Sequence, residues 1–194
     1  MLDHASSHQP DDERITWRQA DALDLPFRGD AFDVVVCQFS AMFFPGKVTG
    51  YSEAARVFNA DGKFIFSVWD DIESNEFADA VTHAAASVFP DDPPMFLART
   101  PHGYHDEELI RDQLGSAGFS HVTSERIEKI SSAPSARDVA LAYCHGTPLR
   151  NEIESRDRGA LDQVTDSATR ELEARFGSGP ITGKIKGLVI TVSL

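Results

Sequence analysis

The sequence predicts an α/β fold built on a largely parallel sheet, and three observations carry that expectation. Phe32-Asp33-Val34-Val35-Val36-Cys37 is short, β-branched and apolar on both faces, as a strand buried between two layers reads. Val48 to Phe58 sets Tyr51, Ala54, Ala55 and Phe58 on one helical stripe, and Lys63 to Trp69 extends again after a turn at Asp61-Gly62. Strand, helix and strand in succession form a crossover unit, whose right-handedness makes the two strands parallel.

The remaining elements follow in order. Ile15 to Ala20 can extend, and Asp24, Pro26, Gly29 and Asp30 supply turn chemistry before the first strong strand. From Glu76 to Phe89 the positions Phe77, Ala80, Val81, Ala84, Ala85 and Val88 keep helical spacing. A loop carrying Pro90, Pro93, Pro94 and Pro101 is long enough to be a covering or substrate-facing segment. Glu107 to Ala117 reads as a helix stopped near Gly118, and His121 to Ile130 as an extended stretch. Ser135 is placed to cap a short helix running to Tyr143. Leu161, Val164, Ala168, Leu172 and Phe176 line one face of a longer helix, and Gly187 to Leu194 reads as a closing strand. Gly177, Gly179 and Gly183 follow a helix and enclose Pro180, the reverse of a nucleotide-loop context, so they are expected to form a terminal turn. No repeat or second boundary interrupts the chain, and residues 1–194 are expected to form a single domain.

Composition narrows the function classes. With 41% hydrophobic and 25% charged residues the chain has the make-up of a globular protein, and its formal charge of −13 opposes nucleic acid phosphates and anionic lipid heads. The expected partner is a small molecule, with neither nucleic acid nor membrane. The apolar run from Val34 to Phe44 is broken by Gln38 and Ser40 and falls short of the ~18 residues a membrane helix needs. The opening residues carry no secretory pattern, so cytoplasm is the expected location. Cys37 and Cys144 have no metal-ligand or disulfide spacing, and His4 and His8, four apart, lack a third ligand, so no metal is expected.

Motif content goes further. Asp21-Ala22 followed by Leu25-Pro26-Phe27, then Phe32-Asp33, Arg56-Val57-Phe58, Gly62, Phe64 to Trp69 and Ala117-Gly118-Phe119, resembles the class I S-adenosylmethionine-dependent methyltransferases, in particular their ubiquinone/menaquinone-biosynthesis-like branch. The resemblance implies a Rossmann-like sheet, mostly parallel with an antiparallel C-terminal strand, S-adenosylmethionine as cofactor, and methyl transfer to a small-molecule acceptor. It implies that the Asp21 carboxylate accepts from the adenine amino group and that the Ala22 N–H meets a ring nitrogen, with Leu23 adjoining. Met1 and Leu2 would lie against the adenine face, and Gln38 and Phe39 would approach the methionine portion at the carboxyl end of their strand. It further implies that the family's glycine-rich loop precedes Met1, so the chain is expected to be N-terminally truncated. The strand at Phe32 to Cys37 would then carry a free edge, which a second copy (a homodimer) or Ile15 to Leu23 is expected to cover.

Each candidate has a plainer reading beside it. Asp21 also suits a turn, and Gln38 also suits local backbone bonding. Met42, Phe43, His102 and Tyr104 are candidates for a substrate pocket, with His102, Tyr104 or His105 as a general base, although aromatic and methionine clusters commonly fill cores. The alternative function is a noncatalytic, self-associating remnant of the fold acting as an interaction module.

Overall fold

The computed structural model describes residues 2–9 and 12–194. Its elements are, in order, α1 (Leu2–His8), β1 (Phe32–Gln38), α2 (Lys47–Val57), β2 (Phe58–Trp69), α3 (Glu76–Val88), α4 (Phe96–Arg99), α5 (Glu107–Ser116), β3 (His121–Ala133), α6 (Ala136–Gly146), α7 (Leu149–Arg156), α8 (Leu161–Phe176) and β4 (Ile181–Ser193). The strands form one four-stranded sheet in the order β1-β2-β4-β3. β1 runs parallel to β2, and β4 runs antiparallel to both β2 and β3. Three strands therefore share a direction and the C-terminal one opposes them, which is the α/β arrangement the sequence predicts.

Side-chain alternation gives the sheet two unlike faces. Phe64, Phe66 and Val68 of β2 and Leu188, Ile190 and Val192 of β4 point to one side and are buried with Tyr51 and Ala54 of α2 and Ile110 and Leu114 of α5. The opposite side is covered only toward the start of β4. There Ile181 joins a second core made by α3, α6, α7 and α8, including Phe77, Val139, Ile153, Val164 and Leu172. Gly183 admits this contact, because a Cβ on it would meet the Phe77 ring at 2.8 Å. Farther along this side Val34 and Val36 are 50% and 65% exposed.

The helices end as their sequences direct. Ser135 caps α6 by accepting the Asp138 N–H, Asp106 caps α5 by accepting from Glu108 and Leu109, and Gly118 takes a φ of 96° after α5.

Several expectations change. Ile15 to Ala20 forms no strand: it meets no sheet edge, and Ile15 and Trp17 are 39% and 46% exposed. The Asp61-Gly62 turn is a bulge inside β2, since Phe32 lies opposite Phe58 while Val34 lies opposite Lys63. β4 starts at Ile181, so Gly183 is a strand residue, and only Gly177, at a φ of 100°, ends a helix. The proline-rich loop contains α4, and α7 was not foreseen. Among the described residues no helix is long and apolar enough to cross a membrane.

Candidate functional site

The corner at residues 21–27 is held from two sides. Asp21 Oδ1 accepts the Leu23 N–H at 2.9 Å and the Asp21 carbonyl accepts the Asp24 N–H at 3.1 Å, a compact Asx-type turn. α2 then clamps the exit: the Leu25 N–H donates to Glu53 Oε2 at 2.7 Å, and Arg56 donates to the Phe27 and Leu25 carbonyls at 2.7 and 2.9 Å. Glu53 and Arg56 also bind each other, and hydrogen bonding to Arg56 holds the Glu53 carboxyl down at about 2. Asp21 Oδ2 and the Ala22 N–H make no bond among the described residues, and Asp21 borders an open hollow with Gln19, Ala20 and Ala22 rather than the cavity beside β1. Ala22 and Leu25 share a cavity of about 290 Å³ with Val36, Gln38 and Phe44 at the carboxyl end of β1.

At the tip of β1 the chain doubles back. Phe39 has a φ of 48°, a left-handed conformation that costs a non-glycine residue energy, and its N–H is held by the Ser67 carbonyl and Oγ, each at 3.1 Å. Its ring stacks on Trp69 at 4.0 Å. Gly187 permits this packing, because a Cβ there would come within 2.9 Å of the Val68 carbonyl and 3.3 Å of the Phe39 ring. Gln38, Phe39, Trp69 and Ile185 border a second cavity of about 290 Å³ on the less covered side of the sheet. Gln38 borders both spaces.

A third cavity of about 270 Å³ lies between the end of β2 and the helical core, with Phe43, Trp69, Phe96, His102, Tyr143 and Ile185 on its walls. Trp69 and Ile185 separate it from the second. His102 is buried, its Nδ1 bonded to the Asp70 carbonyl at 3.0 Å. Burial pushes its pKa down. Asp70, buried as well, is paired with Arg126 Nε at 3.0 Å. Asn75 is spent on backbone, bonding the Asp70, Asp71 and Lys186 carbonyls and the Lys186 N–H.

The structure thus brings Ala22 and Gln38 to one cavity, Gln38 and Phe39 to the next, and Phe43 and His102 to a third. Other candidates lie elsewhere. Met42 is in the core under the sheet, and Tyr104 is buried with its hydroxyl 2.9 Å from that of Tyr51 and a further bond to Gln113. Burial raises the Tyr104 pKa to about 12, and its ring faces Lys47 rather than His102. Leu2, on α1, borders none of the three cavities, Leu23 faces α2, and Met1 lies outside the described residues. Sequence reasoning missed Trp69, Tyr143 and Ile185 on the walls and Glu53 and Arg56 in the clamp. Only Trp69 had a signal, its place at the carboxyl end of a predicted strand, where open α/β sheets bind ligands.

Sheet order, the antiparallel last strand and a cleft at the β1 tip give a Rossmann-like α/β fold. Comparison with known proteins agrees. Residues 1–66 match the family described as a methyltransferase domain. Over 67 residues the chain is 34% identical to the uncharacterized methyltransferase YcgJ of Bacillus subtilis, a match spanning 34% of this chain and 26% of that protein. The aligned segment is thus about a quarter of the relative's length. Among solved structures, a candidate methyltransferase from an antibiotic biosynthesis pathway of Anabaena variabilis superposes with a TM-score of 0.58 at 14% identity, over 94% of this chain and 75% of that one. A candidate methyltransferase of Bacillus halodurans gives 0.51 at 17% identity, over 90% and 69%. At these identities the superpositions establish the fold, while the sequence matches extend over the first third of the chain.

Proposed function

We propose that the chain binds S-adenosylmethionine along the cleft from the Ala22 corner to Phe39 and transfers a methyl group to a small-molecule acceptor in the third cavity. The observation that carries this reading is adjacency: Gln38 lines both the corner cavity and the Phe39 cavity, and Trp69 lines both the Phe39 cavity and the third. The corner suits one edge of adenine. Asp21 Oδ2 is a free acceptor, the adjacent Ala22 N–H a free donor, and Leu25 and Phe44 line an apolar wall. When bound, the cofactor supplies a methyl group already activated on a positively charged sulfur. The chain's own task is then to align acceptor and donor and to keep water out, with the Phe39–Trp69 stack beside the place where they would meet.

Calorimetric titration with S-adenosylmethionine tests the proposal, with Asp21→Asn as the control because the amide oxygen preserves the turn to Leu23. Wild-type protein should release or absorb heat saturably, and the variant should bind at least ~10-fold more weakly, as expected for losing a charged acceptor. A wild-type titration without heat would remove the reading.

One observation favours a second reading, a noncatalytic module that associates with its own kind. Among the described residues β1 has β2 as its single neighbour in the sheet, so its outer edge offers unpaired backbone groups beside the exposed Val34 and Val36.

A further inference from the structure

Among the described residues two other than glycine have a positive φ, Asp30 at 54° and Phe39 at 48°. Aspartate enters the left-handed region readily, whereas a bulky side chain does so only when its surroundings hold it there. Phe39 is held through the peptide that precedes it. Its N–H is bound by the Ser67 carbonyl and Oγ, each at 3.1 Å, and on the other side of that peptide the Gln38 carbonyl accepts the Ser40 hydroxyl at 3.2 Å. Neither flank is free to follow a movement: β1 is paired with β2 as far as Gln38, and Ala41 and Met42 are buried just beyond. A change of conformation is thereby confined to Phe39 and Ser40.

The strained turn puts the Phe39 ring where position 187 has no side chain. A Cβ on Gly187 would stand 3.3 Å from that ring, and Gly187 lies opposite Trp69 across β2 and β4. The ring fills this hollow and stacks on Trp69 at 4.0 Å, with 17° between the planes. Trp69 in turn shares with Ile185 the place between the second cavity and the third, since both side chains border each space. Ile185 is fixed in the middle of the β3–β4 ladder, whereas Trp69 is the last residue of β2. The cost of a left-handed phenylalanine is of the same order as the hydrogen bond and the aromatic stack that offset it, so the balance between holding and releasing the turn is close.

We propose that the Phe39–Trp69 stack is a two-state gate between the second and third cavities, latched by Ser67 on the Phe39 N–H. In the latched state the Phe39 ring backs Trp69, and the two spaces are separate. Rotation of the Gln38–Phe39 peptide takes φ out of the left-handed region, draws the N–H off Ser67 and lifts the ring from Gly187. Trp69 then loses its stacking partner and turns aside, which opens a passage past Ile185. A ligand that occupies the hollow over Gly187 competes with the Phe39 ring for the same place and so shifts the population toward the open state. The gate goes beyond the methyl-transfer reading, in which a donor and an acceptor on the two sides would meet only while it is open.

The test is nitrogen relaxation dispersion on the full chain without cofactor, in a Trp17→Phe background that leaves Trp69 as its one tryptophan. The Trp69 indole N–H and the Phe39 amide should exchange on the microsecond-to-millisecond timescale with a common rate. Ser67→Ala removes one of the two acceptors while the carbonyl stays, and should raise the minor population by about threefold or more. Phe39→Gly removes both the strain and the ring, and should silence exchange at Trp69 while raising its quenching by acrylamide. Phe39→Ala, which removes the ring alone, is the second variant if the first does not fold. Exchange that emerges only in Ser67→Ala supports the gate, with the latch holding wild type nearly closed. Flat dispersion at Trp69 in both wild type and Ser67→Ala overturns it, and so does Trp69 exchange that persists once the Phe39 ring is gone. A parallel titration with S-adenosylmethionine separates the two proposals. If it is silent while the coupled exchange is present, methyl transfer falls and the gate stands. Cofactor heat with flat dispersion has the reverse meaning.

Discussion

Glu53 does for the corner at residues 21–27 what Asp21 cannot do alone. Asp21 shapes the turn locally, and the turn is fastened to α2 through the Leu25 N–H on Glu53 and the two carbonyls on Arg56. The sign of the pH effect follows from the depressed Glu53 pKa. Its contribution is complete above the ordinary glutamate value near 4.5 and is lost as the pH falls toward about 2. Glu53→Gln should therefore flatten the acid-denaturation curve between those limits, and should weaken S-adenosylmethionine binding severalfold at neutral pH; circular dichroism and calorimetry check the two outcomes. The Asp21–Phe27 motif was legible because short turn motifs are local. The clamp was not, because residues 28 and 31 positions apart meet only after α2 has docked.

At the scale of elements, α2 and α5 are joined through a polar chain inside an apolar layer. Tyr104 has one hydroxyl proton, which goes to Gln113, so the Tyr51 hydroxyl must be the donor between the two tyrosines. Tyr104→Phe should leave both the Tyr51 hydroxyl and the Gln113 carbonyl without that partner, lowering stability by ~1–3 kcal/mol. Thermal denaturation should register this as a Tm lower by several degrees. The helices with clear apolar stripes, α2, α3, α5 and α8, were readable from periodicity. α7 was not, since Leu149 and Ile153 are its buried residues and such a stripe is too short to stand out.

Across the whole molecule the notable asymmetry is that β1 is apolar on both faces but covered on one. Val35 and Cys37 pack with the α2 layer, while Val34 and Val36 face away from it and stay exposed. If copies associate through this strand, sedimentation equilibrium should find a dimer for wild type and a monomer for Val36→Lys, with the fold unchanged because Val36 is already 65% exposed. A monomeric wild type would exclude association by this route.

By itself the sequence determined the alternation of strands and helices, the turn motif around Asp21, and the parallel pairing of β1 with β2, because each depends on short-range periodicity or on one crossover between neighbouring elements. Only tertiary structure decided that Ala22 and Gln38 share a space, that His102 shares another with Trp69 and Tyr143, and that Met42 and Tyr104 belong to the core. Those outcomes depend on which layer each side chain turns toward, and that is set by the packing of distant helices against the two faces of one sheet.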